Sequence, residues 1–197
     1  AATFAALRFR NYRLFFLGQS VSVAGTWMQR MAQGWLVLEL TDSSVWLGVT
    51  LAAQQLPTLM LTAWGGVLAD RFSKRNILIC TAVAAMIPAL LLGLLTLTGH
   101  VNVQIVLALV LAGGVGDALE KPARQSFPSE LVPPGRLTNA VMLNNVMQDT
   151  GKVIGPAIAG VMISAVGLPY TFLFNGLSYV AVIAGLVLMR TRELLNP

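Results

Sequence analysis

The sequence predicts an all-α fold: a polytopic membrane protein whose six transmembrane helices form a bundle of two inverted three-helix repeats. The membrane assignment rests first on composition. The chain is 56% hydrophobic and 11% charged, with a mean hydropathy of +0.73, where a soluble domain carries about 25% charge. It rests second on patterning. No Asp, Glu, Lys or Arg occurs from Asn76 to Gly116 or from Val153 to Met189, and a soluble core cannot hide uncharged apolar runs of that length. A third observation, the one-sided placement of the cations, sets the topology.

Spans are expected at about 14–40, 46–69, 76–98, 101–119, 138–166 and 170–190, joined by short loops that fall on alternate sides. Residues 1–13 then form a cytoplasmic N-terminal segment, 14–190 the six-span bundle and 191–197 the start of a cytoplasmic central linker. Arg8, Arg10 and Arg13 precede the first span. Arg71, Lys74 and Arg75 lie in the second loop, Lys121, Arg124 and Arg136 in the fourth, and Arg190 and Arg192 after the sixth span. The other three loops carry no Lys or Arg. The positive-inside rule makes the rich side cytoplasmic, with both termini there. This distribution accounts for the net charge of +5 without a nucleic-acid partner; the basic loops face lipid headgroups instead.

The first span carries Gln19, Ser22, Thr26, Gln29, Arg30 and Gln33 within one arc of a helix. Polar groups in lipid are costly, so this arc faces other helices or water. Arg30 stays protonated in any protein setting; it serves either substrate and coupling in a cavity or a structural partnership with carbonyls and glutamines. The second span spaces Thr50, Gln54, Thr58 and Thr62 by four. The threonines are expected to bond back to their own helix carbonyls, whereas Gln54 or Gln55 lines the cavity. Trp46 reads as an interfacial anchor. In the third span Cys80 reads as a small packing residue, with no second cysteine to bridge.

The fifth span repeats the theme with Asn144, Asn145, Gln148, Asp149 and Lys152. Asp149 and Lys152, three apart, pair on one face. Either they satisfy each other as a structural pair, or Asp149 exchanges a proton as desolvation and the neighbouring ammonium pull its pKa in opposite directions. Arg30 and Lys152 together attract an anionic or phenolic substrate. On the same helix Gly151, Gly155, Pro156 and Gly160 mark close packing against a neighbour.

Between the second and third spans lies Gly66-Val67-Leu68-Ala69-Asp70-Arg71-Phe72-Ser73-Lys74-Arg75. Gly66 allows close backbone approach, and one acid faces several cations across a tight turn, an arrangement suited to a latch. This stretch resembles the G-x-L-a-D-R-x-G-R-[KR] loop of the major facilitator superfamily. Gly151-x-x-x-Gly155-Pro156 resembles the helix-5 pattern of its antiporters. Pro122-Ala123-Arg124-Gln125 and Glu130-Leu131-Val132-Pro133 are similar to the bacterial drug and siderophore exporter branch that includes enterobactin exporters and macrolide efflux proteins.

The resemblance implies a secondary active transporter exporting a small amphipathic molecule by proton antiport with alternating access. It implies a cytoplasmic gate of Gly66, Asp70, Arg71, Lys74, Arg75 and Asp117, in which Asp70 caps a helix of the opposite half and Lys74 links to Asp117 at the inner end of helix 4. The superfamily unit has twelve spans, so this chain corresponds to its N-terminal half, and a C-terminal six-helix half is missing from it. Ser73 and Lys74 replace the family's usual glycine and arginine, and Gly113-Gly114-Val115-Gly116 stands where many proton antiporters have a buried arginine. Proton coupling therefore falls to Asp149. The substrate and coupling set is Arg30, Gln29, Gln33, Gln54, Asn145, Gln148, Asp149 and Lys152. Two other readings are a facilitative metabolite transporter and a six-span scaffold that transports nothing. No His, Cys or acid cluster has catalytic or metal-ligand spacing, and no cofactor is expected.

Overall fold

The structure, a computed structural model, describes residues 4–195, and every regular element among them is helical. Residues 1–3 of the expected N-terminal segment and 196–197 of the expected linker lie outside the described residues. After a 3-10 turn at Ala5–Arg8 come α1 (Arg10–Thr41), α2 (Ser44–Arg71), α3 (Lys74–Leu97), α4 (Val103–Ser126), the short α5 (Pro128–Leu131), α6 (Leu137–Ala165) and α7 (Leu168–Val187). Six long helices thus coincide with the six expected runs.

Local chemistry sets the ends. Asn102 accepts the Ile105 amide at 2.9 Å and so caps the start of α4. Gly99 and Gly167 adopt φ of 72° and 90° in the tight turns before α4 and α7, where a side chain would be strained. The fourth helix departs most from expectation: instead of stopping near 119 it runs through Pro122 to Ser126. The Arg124–Glu120 ion pair at 3.0 Å, one turn apart, supports this added length.

Three of the helices, α3, α4 and α7, are long and apolar enough to cross a membrane. The other three long helices hold the polar stripes. The packing explains this division. α1 lies on α6 and α7, α2 on α4, and α3 on both α4 and α7. An apolar cluster that includes Tyr12, Phe15, Leu78, Phe127 and Leu186 fills the end where α1, α3 and α6 begin, here the basic end. A second, with Leu36, Leu92, Val106 and Phe172, fills the far end. The polar stripes meet between these two plugs.

Glycines decide how closely the stripes approach. A Cβ on Gly155 would stand 2.5 Å from the Trp27 Cβ and 2.8 Å from the Ala24 carbonyl oxygen, and one on Gly151 would stand 2.5 Å from Val23 Cγ1. These two residues let α6 press on α1, and α6 continues unbroken through Pro156. Gly160 corrects the expectation, because nothing lies within 4 Å of its Cβ position. Gly66 does so too: its Cβ position is open, while that of Gly65 lies 2.6 Å from the Ala118 carbonyl oxygen. One residue along a helix is a 100° rotation, so Gly65 faces α4 and Gly66 faces away. Cys80 is a further correction: it is exposed on α3 rather than packed.

Candidate functional site

Two cavities share a wall in the polar layer. The larger, about 490 Å³, is lined from α1 by Ser22, Val23, Thr26, Trp27 and Arg30, from α2 by Gln55 and Thr58, from α4 by Asp117, Glu120, Lys121, Arg124 and Gln125, and from α6 by Asn144, Asn145, Gln148, Asp149 and Lys152. The smaller, about 40 Å³, includes Gln29, Gln33, Gln54, Asn175 and Tyr179. Thr26, Arg30 and Asp117 belong to both.

Arg30 Nη2 donates to Asp117 Oδ2 at 2.6 Å, and its guanidinium stacks 4.8 Å above the Trp27 ring. The two charged side chains are 22% and 28% exposed. This is a charge-assisted contact between partly exposed groups on the cavity wall, with the aromatic face adding cation–π attraction. The resemblance assigned Asp117 to Lys74 at the inner end of helix 4. That assignment is corrected: Asp117 lies nine residues before the end of α4, about 13 Å along the helix axis, out of reach of Lys74 and level with Arg30.

The glutamines of the stripe turn inward. Gln54 Nε2 donates to Gln33 Oε1 at 3.0 Å, and Asn175 Nδ2 donates to Gln29 Oε1 at 2.6 Å. Ser178 donates to the Asn175 side-chain oxygen at 3.1 Å, and the Tyr179 and Thr26 hydroxyls lie 3.2 Å apart. Amide pairs of this kind satisfy polar groups that lipid or core could not. Thr50 bonds to the Trp46 carbonyl and Thr62 to the Thr58 carbonyl, the expected back-bonding. Asn175, Ser178 and Tyr179 were not singled out from sequence, although their i, i+3, i+4 spacing in an otherwise apolar run is the mark of an inward-facing polar stripe.

Lys152 Nζ donates to Asp149 Oδ1 at 2.7 Å, the pairing the spacing predicts. Its setting differs from a deep burial: the two side chains are 51% and 72% exposed along the cavity wall. Asn145 stands exposed beside them, and Gln148 Nε2 and Asn144 Oδ1 are buried without a hydrogen-bond partner. The structure thus separates the expected coupling set into an inner group (Gln29, Gln33, Gln54) and a wall group (Asn145, Gln148, Asp149, Lys152), joined through Arg30.

At the basic end the expected gate residues divide. Lys74 Nζ donates to Glu130 Oε1 at 2.6 Å. Arg75 donates from Nε to the Leu186 carbonyl at 2.7 Å, capping the last turn of α7. Arg10 donates to the Leu188 carbonyl at 3.1 Å, and Asn11 exchanges two hydrogen bonds with the Arg190 backbone at 3.0 and 3.1 Å. Asp70 and Arg71 stand exposed at the end of α2.

The described residues thus form an all-helical bundle around a polar cavity, with three helices long and apolar enough to cross a membrane. Residues 1–196 match the family described as transmembrane secretion effector, so the chain belongs to that family of the major facilitator superfamily, whose members are transporters and not enzymes. It is similar to the staphyloferrin A transporter of Staphylococcus aureus, 28% identical over 85% of this chain and 42% of the relative. It is similar to macrolide efflux protein A of Streptococcus pyogenes, 24% identical over 80% of this chain and 40% of the relative. A putative multidrug resistance protein, MdtD, of Salmonella newport is 26% identical over 83% of this chain and 33% of its own length. The chain therefore spans about two-fifths or less of the length of these relatives.

Proposed function

We propose that this chain is a six-span half of a secondary active transporter that exports a small amphipathic molecule across the bacterial cytoplasmic membrane, by proton antiport with alternating access. The observation that carries this reading is the large cavity, whose walls on α1, α4 and α6 hold ion pairs level with the polar stripes. Intramembrane charges that pair with one another in a water-accessible cavity mark solute and ion pathways. The macrolide efflux relative supports export as the direction, and it and the staphyloferrin A transporter support small molecules as the cargo.

The packing supports two inverted three-helix repeats. Exchanging α1 with α4, α2 with α6 and α3 with α7 turns the α1–α6 contact into α4–α2 and the α1–α7 contact into α4–α3, and leaves α3–α7 in place. Each exchanged contact is one of the principal contacts of the bundle, as an internal pseudo-two-fold requires. A second six-helix half closes the open side of the cavity. The exposed Asp70 and Arg71 serve as the part of the gate that meets it, while Lys74 and Arg75 hold the gate to its own half. Both termini lie in the cytoplasm with the basic loops.

Asp149 is the proton carrier in this reading. Its carboxylate lines the cavity and is held by a single ammonium, that of Lys152 at 2.7 Å. The test is energised uptake into inverted vesicles carrying the full-length protein. Wild type concentrates substrate when a proton gradient is imposed, and a protonophore abolishes this. Asp149→Asn reaches the membrane in normal amount and loses gradient-driven uptake. Undiminished uptake by that variant removes the proton-carrier assignment, and uptake insensitive to the protonophore favours facilitated transport.

A further inference from the structure

We infer that the cavity takes an amphipathic anion and that Lys121 is the residue that receives its charge. The inference rests on the transport reading above and adds to it the sign of the cargo. Its basis is which charges in the lining are already engaged. Of the seven charged residues there, Asp117 is held by Arg30 at 2.6 Å, Glu120 by Arg124 at 3.0 Å and Asp149 by Lys152 at 2.7 Å. Every carboxylate in the lining therefore has a cation within hydrogen-bond distance. Lys121 is left over: it is exposed, and among the described residues its ammonium belongs to no ion pair.

A cationic guest entering this chain's side of the cavity meets no free carboxylate. It reaches only the second oxygen of a carboxylate that already lies beside Arg30, Arg124 or Lys152, whose positive charge repels it. An anion meets no such repulsion. Lys121 offers a mobile ammonium with three donors on a flexible stem. Asn145, exposed on the facing wall, supplies an amide donor. The apolar part of the guest lies against Trp27 and Val23. The expectation that Arg30 and Lys152 attract an anion is thereby moved: both are committed to acids, and the free charge is one helix over.

The test uses the purified full-length protein in nanodiscs and two probes with one fluorophore and opposite charge, dansylglycine and dansylcadaverine. Wild type binds dansylglycine more tightly. Lys121→Gln weakens dansylglycine binding roughly tenfold, the scale of a lost hydrogen bond to a charged group, with thermal stability unchanged. Lys121→Glu reverses the preference. Equal or tighter binding of dansylcadaverine by wild type, or an anion preference that survives Lys121→Glu, overturns the proposal. Energised uptake of the same probes is read separately: charge-selective binding with no uptake would sink the transport reading and leave the anion site standing.

Discussion

Lys74 Nζ and Glu130 Oε1 meet at 2.6 Å, joining the first residue of α3 to the four-residue helix α5. Glu130 is 8% exposed at its side chain and Lys74 20%. Removing the ammonium leaves a carboxylate that is shut away from water. Lys74→Met is expected to destabilise the protein by about 2 kcal/mol. The charge-swapped double variant, Lys74→Glu with Glu130→Lys, is expected to recover much of that loss. Denaturation in mild detergent with a double-mutant cycle measures both, and additive effects would show that the two residues do not interact.

The Arg30–Asp117 pair gives a second cycle. Arg30→Ala leaves Asp117 facing the inner pocket without its partner and removes the stack on Trp27. Because both groups are partly exposed, the expected coupling energy is about 1–2 kcal/mol rather than that of a fully buried pair. Arg30→Lys keeps the charge but not the planar stack, so it is expected to fall between wild type and Arg30→Ala. Thermal unfolding of wild type and the two variants checks the order.

Adjacent glycines on α2 have opposite expectations. Gly65→Ala drives a methyl to 2.6 Å from the Ala118 carbonyl oxygen, so the helices must separate; the expected cost is about 1–3 kcal/mol. Gly66→Ala meets open space and is expected to be neutral or stabilising by about 0.5–1 kcal/mol, since alanine is the better helix former. Melting temperatures of the two variants in one detergent decide the matter.

Topology has a direct check. His100→Cys, in the turn before α4, is expected to react with a membrane-impermeant maleimide in intact cells, whereas Ser73→Cys, in the turn between α2 and α3, is expected to react only after permeabilisation. The experiment requires Cys80→Ser, which is expected to change stability by no more than about 0.5 kcal/mol because Cys80 is exposed. The reverse labelling pattern would invert the bundle.

Helix existence was legible in the sequence because apolar runs and one-sided cations are properties of the chain read in order. So was the α6 stripe, where Asp149 and Lys152 find each other across one turn. Pairings between helices were not legible in the same way. Arg30 and Asp117 lie 87 residues apart, and nothing in the local pattern of either marks the other. Asp117 looked terminal because Glu120-Lys121-Pro122 reads as a loop, yet α4 continues through it. Glu130 was hidden by a different cause: a four-residue helix is too short to show periodicity. Gly65 and Gly66 are indistinguishable in sequence, and only the rotation of α2 against α4 tells them apart.

The end of α7 is gripped from two directions. Arg75 from α3 and Arg10 and Asn11 from α1 supply hydrogen bonds to its last carbonyls and to Arg190, and the amide of Leu195 donates to the Glu130 carbonyl at 2.9 Å. Each bond is worth about 1 kcal/mol, but they share three helices and break together. The consequence is mechanical. The basic end behaves as a welded hub, so the ends of α1, α3 and α7 are expected to shift together there rather than slide past one another.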